Sequence, residues 1–451
     1  MGNKVVILGG GIASLGAAYY LAKHDIKPVI IEKGQKIGGL ASSYKIKNFH
    51  IERFYHHLFP TDTVIFQLAK ELGIKSKIFW KNTKMGFYYR NRLYGFTTPL
   101  DLLFFKPLRF KERIKFGLNM LKIAKNKDHK HLDKVGAKDW LIRTFGQDIY
   151  KKIFKPMLEI KFAMSLDKAS AAFVYGRLHA RAKSRSKNMV SEKLGYIEGG
   201  YNKLISTLYN KIKNNSEILC NSEILEIVCN ADNYKIKIRR NNRIEVIEAR
   251  YLINTLPLEV FAKIAKKFPK KTIAAIKKIK YQAVICAAIG LKKKLSGYYW
   301  INISSAGLPF HGIIEHTNFI PSKHYDNDNI VYLFNYITPD HKFWKMDRDT
   351  IKKIYLSGLL KMFPHIKNSD ILWFKLSKER YATPVFLKGY EDNMKKIENL
   401  KNLYFAGSFK IYPYSRNINN VIKTGFDAAE SAIRKSSSYP CGLAQSILML
   451  L

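Results

Sequence analysis

The residues Val5-Val-Ile-Leu-Gly-Gly-Gly-Ile-Ala-Ser-Leu-Gly16, with Val29-Ile-Ile-Glu32 a helix length later, decide the fold of this chain. The first four form a short apolar run, which is typical of a strand buried on both faces. Gly9 permits a tight turn, and Gly11 lacks the side chain that would keep the backbone from a pyrophosphate at the next helix N-terminus. Glu32 ends the second strand, where a carboxylate can accept hydrogen bonds from a ribose hydroxyl. The stretch therefore predicts a βαβ unit that binds a dinucleotide.

One position departs from the G-x-G-x-x-G pattern of such units. Ser14 replaces the third glycine, and Gly16 follows two residues later. The third glycine serves close packing, which a small serine still allows. An apolar stretch after a basic residue is also typical of a secretory signal, but glycines, Ser14, His24 and Asp25 interrupt it and no cleavage pattern follows. We therefore expect the nucleotide-binding unit.

Length and composition predict a globular protein of two or three domains, because 451 residues of which 47% are hydrophobic can form large cores. The formal net charge is +43, from 78 Lys and Arg residues against 35 Asp and Glu residues. Such a charge can indicate nucleic acid, anionic lipid or an anionic substrate. Lysine supplies 61 of the 78 basic residues, and they are dispersed along the chain. Because no nucleic-acid recognition motif accompanies them, we expect no nucleic-acid partner.

Cysteines and apolar runs indicate the compartment. Cys220, Cys229, Cys286 and Cys441 have no C-x-x-C spacing, so neither a metal site nor a disulfide framework is expected. So few cysteines fit a reducing compartment and predict a cytoplasmic protein. No uninterrupted apolar segment approaches the ~20 residues of a membrane-spanning helix, so any membrane association is expected to be peripheral. The sequence gives no oligomeric state.

A loop with a glycine pair, Lys33-Gly-Gln-Lys-Ile-Gly-Gly-Leu-Ala41, follows the acidic residue. Gly38 and Gly39 let the backbone pass close to a ligand. A βαβ start, an acidic ribose residue and this loop together resemble the FAD-binding flavoproteins that include amine oxidases, phytoene desaturases, protoporphyrinogen oxidases and UDP-galactopyranose mutase. The chain is most similar to the protoporphyrinogen-oxidase-like group, which shares the run Glu52-Arg-Phe-Tyr-His-His57. The resemblance implies a redox flavoenzyme and leaves its substrate open.

The segment after Glu52 occupies the place where these flavoproteins run under the flavin. Amine oxidases have a glycine pair there, whereas this chain has Phe54 and Tyr55. Bulky rings would narrow the space over the flavin, so the substrate mode of an amine oxidase is not expected. The run His57-Leu-Phe-Pro-Thr61 instead resembles a loop of the mutases. The catalytic residues that we expect in the pocket are Tyr55, His56 and His57, with Tyr412 as an aromatic wall.

The C-terminal part resembles the other half of the flavin site. Asn402-Leu-Tyr-Phe-Ala-Gly407 predicts a strand that stops at a glycine, and a helix with small residues such as Gly425 follows. In the similar flavoproteins this strand end reaches the ribityl-phosphate chain and the helix N-terminus faces the flavin, where a partly positive helix end stabilises reduced flavin. Ser408 replaces the usual acidic residue and Asn420 a frequent glycine. No cysteine falls here, so we expect FAD to be bound non-covalently.

By the same resemblance, the strand that holds Ile224 lends a backbone group to the adenine. Pattern and resemblance together place the following residues at the cofactor: Gly9, Gly11, Ser14, Glu32, Lys33, Gly38, Gly39, Leu40, Ala41, Ile224, Thr255, Gly407, Ser408, Asn419, Asn420 and Val421.

The expected fold class is α/β, with a discontinuous Rossmann-type FAD-binding domain, a mixed α+β substrate domain and a helical insertion. We assign the FAD-binding domain to residues 1–79, 195–260 and 396–435. The helical insertion covers 80–194 and the substrate domain 261–395. Residues 436–451 form an appended tail.

Within the insertion, one predicted helix carries Phe110, Ile114, Leu118 and Leu121 on a single face, with an apolar run before it and basic residues around it. Such a helix can lie at an anionic bilayer surface. It can equally be an ordinary surface helix whose apolar face packs on the core. Both interpretations remain open.

Two polar segments also have two interpretations each. The basic run Arg177-Leu-His-Ala-Arg-Ala-Lys-Ser-Arg-Ser-Lys187 is either a solvated loop or a contact for an anionic substrate or phosphate. The residues His311-Gly-Ile-Ile-Glu-His316 can do acid-base chemistry or form structural hydrogen bonds.

Three functions follow. The leading one is an FAD-dependent oxidoreductase that takes a hydride, or its equivalent, from a C–N or C–C bond of a small molecule. The second is a flavin-dependent nucleotide-sugar mutase, suggested by the loop that begins at His57 and by basic residues that could hold a diphosphate. The third is a non-catalytic, FAD-stabilised protein, either a scaffold or a binding module at a membrane surface.

Overall fold

A parallel sheet built from distant parts of the chain organises the molecule. The computed structural model describes residues 4–126, 130–162, 167–183, 192–230, 233–305, 307–398, 400–414 and 416–435. The strands are β1 Val5–Leu8, β2 Val29–Ile31, β3 Ser43–Ile46, β4 Phe49–Glu52, β5 Ile78–Thr83, β6 Met85–Tyr89, β7 Arg92–Gly95, β8 Glu192–Ile197, β9 Glu217–Leu219, β10 Ser222–Cys229, β11 Tyr234–Arg240, β12 Arg243–Ala249, β13 Tyr251–Asn254, β14 Ala265–Lys266, β15 Tyr281–Leu291, β16 Trp300–Ser304, β17 Gly312–Glu315, β18 Asn329–Ile337, β19 Ile371–Pro384 and β20 Leu403–Phe405.

The helices lie between and beside these strands. They are α1 Ile12–Ala22, α2 Thr63–Glu71, α3 Pro99–Leu103, α4 Phe110–Lys125, α5 Ala137–Phe145, α6 Gln147–Ile149, α7 Lys155–Phe162, α8 Ala171–Lys183, α9 Gly200–Ile212, α10 Leu258–Ile264, α11 Lys270–Lys277, α12 Lys342–Lys345, α13 Arg348–Met362, α14 Tyr390–Ile397 and α15 Ile418–Lys435. Among the described residues, no helix is long and apolar enough to cross a membrane.

The parallel sheet has the strand order β20-β13-β1-β2-β9. Strand β1 is fully buried and pairs in parallel with β13 on one side and β2 on the other. Because parallel strands end at the same edge, the turns after β1, β2, β13 and β20 meet at one edge of the sheet. A four-stranded sheet, β12-β11-β10-β14, flanks it. This arrangement is the predicted discontinuous Rossmann-type unit.

Helices α1 and α15 pack against each other through glycines. A Cβ on Gly16 would meet the carbonyl oxygen of Ile422 at 2.9 Å, and one on Gly425 would meet the carbonyl oxygen of Ala13 at 2.1 Å. Both distances are too short for a side chain, so only glycine allows this approach. The last helix is thereby held against the helix that follows the glycine turn.

A seven-stranded sheet, β19-β15-β18-β17-β16-β6-β7, forms the second layer of the molecule. Its pairs are antiparallel except β16 with β6. Every residue of β15 is buried, so this long strand lies in the core of the molecule. Strands β6 and β7 form a hairpin, with Arg90 and Asn91 at positive φ in the turn.

Helices α3 to α8 form the insertion between β7 and β8. An aromatic group holds them together, with the ring centroids of Phe145 and Phe154 4.7 Å apart and those of Phe116 and Phe154 5.9 Å apart. Helix α4 packs against α8 on this side. The α/β class, with a second, mixed sheet and a helical insertion, is therefore confirmed.

Candidate active site

A cavity of about 670 Å³ lies where the two large sheets and α8 meet. Its lining combines the glycine turn after β1 with side chains of β15, β16, β18 and β19. The predicted site residues that line it are Gly9, Gly11, Glu32, Lys33, Gly39, Leu40, Ala41, Tyr55, His56, His57, Thr255, Gly407, Ser408 and Val421. Those that lie outside the lining are Ser14, Gly38, Ile224, Asn419, Asn420 and Tyr412.

The glycine turn leaves open space at one position and none at its neighbours. Gly9 has φ +92°, and a Cβ there would lie 2.9 Å from the Thr255 hydroxyl oxygen. At Gly11, which precedes α1, an added Cβ would meet no heavy atom within 4 Å. Close packing around an open point at a helix N-terminus is the arrangement that a pyrophosphate needs.

The Glu32 carboxylate is fixed by two backbone amides. The Gly10 N–H donates to Oε2 at 2.6 Å and the Gly34 N–H donates to Oε1 at 2.7 Å. A carboxylate oxygen has more than one acceptor site, so each can still receive a ribose hydroxyl. Lys33 beside it is exposed and its ammonium pairs with Glu223 at 2.8 Å.

The glycine pair that follows lies directly on the glycine turn. The Gly38 N–H donates to the Gly10 carbonyl at 2.8 Å, and a Cβ on Gly39 would lie 3.1 Å from the Cα of Gly11. Leu40 and Ala41 continue the cavity wall from this contact. Gly38 thus supports the wall without lining it.

Ser14 has a packing role in the structure. Its hydroxyl is fully buried and lies 2.7 Å from the Thr255 hydroxyl, which in turn donates to the Leu8 carbonyl at 2.7 Å. The serine at the third glycine position therefore ties α1 to the ends of β1 and β13. Thr255, rather than Ser14, reaches the cavity.

The C-terminal segment brings a strand end and a helix start to the cavity. The Gly407 N–H donates to the Thr424 hydroxyl at 2.8 Å, which ties β20 to α15. Val421 lines the cavity from the first turn of α15, whereas Asn419 on the same turn is buried away from it and accepts the Ile65 N–H at 3.0 Å. Asn420 also lies outside the lining.

Ile224 lies in the second sheet and does not reach the cavity. It belongs to β10, where it pairs with Ile238 of β11 beside a β-bulge. The start of β10 is close to the acidic residue, because the Ser222 N–H donates to the Glu32 carbonyl at 2.9 Å. The predicted adenine contact through Ile224 stays a prediction.

Tyr55, His56 and His57 lie side by side on the cavity wall. The Tyr55 ring packs edge-on against Trp300 at 5.2 Å. His56 Nε2 donates to the Leu40 carbonyl at 3.4 Å. His57 Nδ1 lies 3.1 Å from the hydroxyl of a buried tyrosine.

Burial keeps these side chains neutral. It lowers the pKa of His56 to about 4 and the pKa of His57 well below its usual range, with the nearby Arg181 charge adding to the second effect. Desolvation likewise raises the pKa of Tyr55 well above its usual range. At neutral pH the wall therefore presents two uncharged imidazoles and a phenol.

Tyr412 does not form the expected aromatic wall. Its hydroxyl donates to Asp133 at 2.5 Å and lies 2.6 Å from the Ser170 hydroxyl, and its ring packs on Phe386 and Tyr390. These contacts hold it among the residues beside the insertion. The prediction failed because the sequence before α15 does not show which aromatic ring faces the cavity. In the structure other aromatic side chains line it.

The sequence did not assign the arginines that line the cavity. They are Arg53, Arg177, Arg181 and Arg416. Two of them belong to the basic run that begins at Arg177, so that run is in part a cavity wall on α8; its residues 184–187 lie outside the described residues. The basic run was the signal for Arg177 and Arg181; Arg53 lies inside the run that begins at Glu52, and Arg416 has no basic neighbour in sequence.

The second polar segment is structural. Glu315 accepts the backbone N–H groups of Leu295 and Ser296 at 2.8 and 2.9 Å, and His316 Nε2 lies 2.7 Å from the Tyr325 hydroxyl. Neither side chain lines the cavity. The structural interpretation of residues 311–316 is thus the one that the contacts favour.

These features are those of an FAD-binding flavoprotein with a second sheet beside its cofactor cavity. The chain belongs to the family of flavin-containing amine oxidoreductases, whose sequence profile matches residues 12–433. The protein is therefore an oxidoreductase and its cofactor is FAD, as the resemblance implies. The open point at Gly11 and the fixed Glu32 carboxylate fit this cofactor.

Known proteins share the fold at low sequence identity. The 15-cis-phytoene desaturase of Synechococcus elongatus is 24% identical over 279 residues, which are 57% of this chain and 58% of that protein. A protein of Exiguobacterium sp. 255-15, provisionally named a protoporphyrinogen oxidase, superposes with a TM-score of 0.77 at 17% identity, over 96% of this chain and 100% of the other. Reduced UDP-galactopyranose mutase superposes with a TM-score of 0.76 at 16% identity, over 97% and 95%.

Proposed function

We propose that the protein is an FAD-dependent oxidoreductase that removes a hydride, or its equivalent, from a C–N or C–C bond of a small molecule. The observation that supports this most is the shared cavity: the wall opposite the glycine turn comes from β15, β16 and β19 and from α8. Flavin supplies the two-electron chemistry when bound. These walls enclose space next to the glycine turn, which gives a substrate room beside the cofactor.

The side chains on these walls position the substrate and exclude water. Burial lowers the pKa of His56 and His57, so both imidazoles are uncharged at neutral pH and can hold a substrate through neutral hydrogen bonds. Tyr55 and Trp300 form an aromatic corner beside them. We assign substrate positioning to the two histidines and to this corner.

The test is an anaerobic substrate screen on protein purified with excess FAD. Amines, amino acids and allylic compounds are added in turn, and bleaching of the flavin absorbance reports hydride removal. We expect bleaching by one class, and His57→Gln should slow it while the flavin content stays unchanged. Bound flavin that none of these compounds bleaches would contradict the proposal.

A nucleotide-sugar mutase is the second candidate, favoured by the arginines in the cavity. Guanidinium groups can hold a diphosphate through paired hydrogen bonds. A mutase would turn over only after the flavin is reduced and would consume neither oxygen nor quinone. Turnover of a UDP-sugar by prereduced protein, with no net oxidation, would favour it over the oxidoreductase.

A further inference from the structure

Three arginines, Arg177, Arg181 and Arg416, line the cavity together with several tyrosines. Arg177 and Arg181 are four residues apart on α8 and so lie on the same helix face. Arg416 enters from the segment before α15 and donates to the Tyr336 hydroxyl at 3.2 Å. Burial lowers the pKa of Arg177, and the neighbouring charges of Arg181 and Arg416 lower it further.

The three guanidinium groups differ in their partners. Arg181 pairs with Glu192 at 2.5 Å, and Arg416 also donates to the Ala382 carbonyl at 2.5 Å. Arg177 forms no ion pair with any carboxylate of the described residues; its guanidinium lies over the Phe173 ring at 5.7 Å. Burial and the neighbouring arginine lower the pKa of Arg177 to about 10, so it is still a cation at neutral pH.

Arg177 is half-buried in the cavity wall and has no carboxylate partner among the described residues, so a ligand that supplies the negative charge binds there favourably. The FAD pyrophosphate belongs at the glycine turn, beside Gly9 and Gly11. We propose that Arg177, with Arg416 beside it, binds an anionic group of the substrate, a carboxylate or a phosphate. This inference rests on the proposed function only in calling the anion part of a substrate, because an anion can bind at Arg177 whether or not the protein turns over a substrate.

The experiment measures anion binding to the FAD-loaded protein. Acetate, inorganic phosphate and inorganic pyrophosphate are titrated separately while the flavin absorbance is followed, so the three arms distinguish a carboxylate from a phosphate. We expect a saturable spectral change with at least one anion, weakened about tenfold or more in Arg177→Gln. Arg177→Lys should restore part of it, and Lys183→Gln on the exposed end of α8 serves as the control.

Two results would overturn the site. One is wild-type protein whose spectrum no anion changes. The other is an Arg177→Gln variant that loses FAD itself, which would assign the arginine to the cofactor. A spectral change that survives while no substrate bleaches the flavin would leave the anion site standing and remove the proposed oxidation, so the two failures are distinguishable.

A separate observation concerns the surface of the insertion. Twelve large apolar side chains are exposed among the described residues, and seven of them lie between residues 100 and 121. These seven, here called the apolar patch, are Leu100 at 65% exposed, Leu103 at 36%, Phe104 at 71%, Phe110 at 61%, Ile114 at 44%, Leu118 at 55% and Leu121 at 40%. Soluble surfaces rarely gather apolar groups in this way without a partner.

Helix α4 is packed through its other side. Phe116 and Ile123 are buried against the insertion, whereas the face predicted from Phe110 to Leu121 points outward. The expectation of an ordinary helix with that face on the core is therefore wrong. Lysines at 106, 111, 115 and 122 are exposed around the patch and form no ion pair with a described carboxylate.

We infer that the apolar patch docks on an anionic bilayer surface. Its apolar side chains can enter the hydrocarbon boundary of the bilayer, and the lysines beside them can contact the anionic headgroups. The test is flotation with vesicles of phosphatidylcholine alone or with phosphatidylglycerol. Wild type should bind the anionic vesicles, the double variant Phe104→Ser with Phe110→Ser should not, and Ile244→Ser with Val246→Ser, on exposed β12, should bind like wild type.

The charge contribution is tested with Lys111→Gln, Lys115→Gln and Lys122→Gln together. Arg113 is left intact because it donates to the Leu108 and Leu103 carbonyls at 2.7 and 2.6 Å and so holds the local fold. The triple variant should bind more weakly and with less salt dependence. Equal flotation of all variants, or dimerisation lost in Phe104→Ser with no vesicle binding, would overturn the bilayer as the partner.

Discussion

Replacing Gly11 by alanine should weaken FAD binding without destabilising the fold. In the structure a Cβ at Gly11 meets no heavy atom within 4 Å, and the residue has φ −77°, which alanine adopts without strain. The apoprotein should therefore keep its stability or gain up to about 1 kcal/mol, because alanine lowers the entropy of the unfolded chain. The methyl group would project into the space that the pyrophosphate needs.

The expected loss of FAD affinity follows from the hydrogen bonds at this position. A bond from a backbone N–H to a charged oxygen contributes about 1.5–3 kcal/mol. Displacing the pyrophosphate from one such bond weakens binding about tenfold to a hundredfold, since each 1.4 kcal/mol is about tenfold. Fluorescence quenching of added FAD measures the affinity, and thermal unfolding of the apoprotein measures the fold.

The control is Gly117→Ala in the interior of α4, where a Cβ meets only Leu102 Cδ2 at 3.5 Å. It should leave FAD binding unchanged and stabilise the helix by about 0.5–1 kcal/mol. Wild-type FAD affinity in Gly11→Ala would refute the assignment of the pyrophosphate to this turn. A loss of apoprotein stability would refute the statement that the space is open.

Three further predictions concern the stability of the fold and the role of Tyr412. Gly425→Ala places a Cβ 2.1 Å from the Ala13 carbonyl oxygen, so denaturant unfolding should show a loss of about 1–3 kcal/mol from overpacking, and an unchanged midpoint would contradict the helix contact. Burial lowers the pKa of His316 to about 3, so the unfolded chain takes up a proton first as pH falls below 6.5. The contribution of this neutral imidazole to the free energy of unfolding is complete above about pH 6.5 and decreases by about 2 kcal/mol at pH 5. The loss of unfolding free energy between pH 7 and pH 5 should therefore be larger by that amount in wild type than in His316→Phe. Equal losses in the two proteins would disprove the prediction. Tyr412→Phe removes the hydroxyl that donates to the buried Asp133 and should lower the free energy of unfolding by about 1–3 kcal/mol, measured by thermal unfolding. The flavin spectrum should stay that of wild type. A changed spectrum would show that Tyr412 contacts the flavin after all.

The cofactor half of the site was readable from the sequence because a dinucleotide imposes local requirements. A strand, a glycine turn and a helix N-terminus must follow one another within a few residues, and the ribose acceptor must end the next strand. Gly9, Gly11 and Glu32 satisfy these requirements and line the cavity. The packing role of Ser14 could also be anticipated, since a small side chain there serves the contact between helix and strand.

Contacts between distant segments could not be read in the same way. The sequence singled out Tyr412, but its hydroxyl binds Asp133, nearly 280 residues earlier. It predicted the apolar face of α4 but could not say whether that face meets the core, because a helix with two partly apolar sides can pack through either. The structure packs Phe116 inward and leaves Phe110 exposed.

The sequence by itself determined the dinucleotide fold, because that fold depends on residue types at short, fixed spacings, and its resemblance to known flavoproteins added the flavin cofactor. Only the tertiary structure decided which side chains surround the substrate space. Arg177 reaches the cavity because α8 crosses it, and Arg416 because the last helix is held on α1 by Gly425. The orientation of a helix over a cavity depends on the packing of the whole molecule, so no local pattern encodes it.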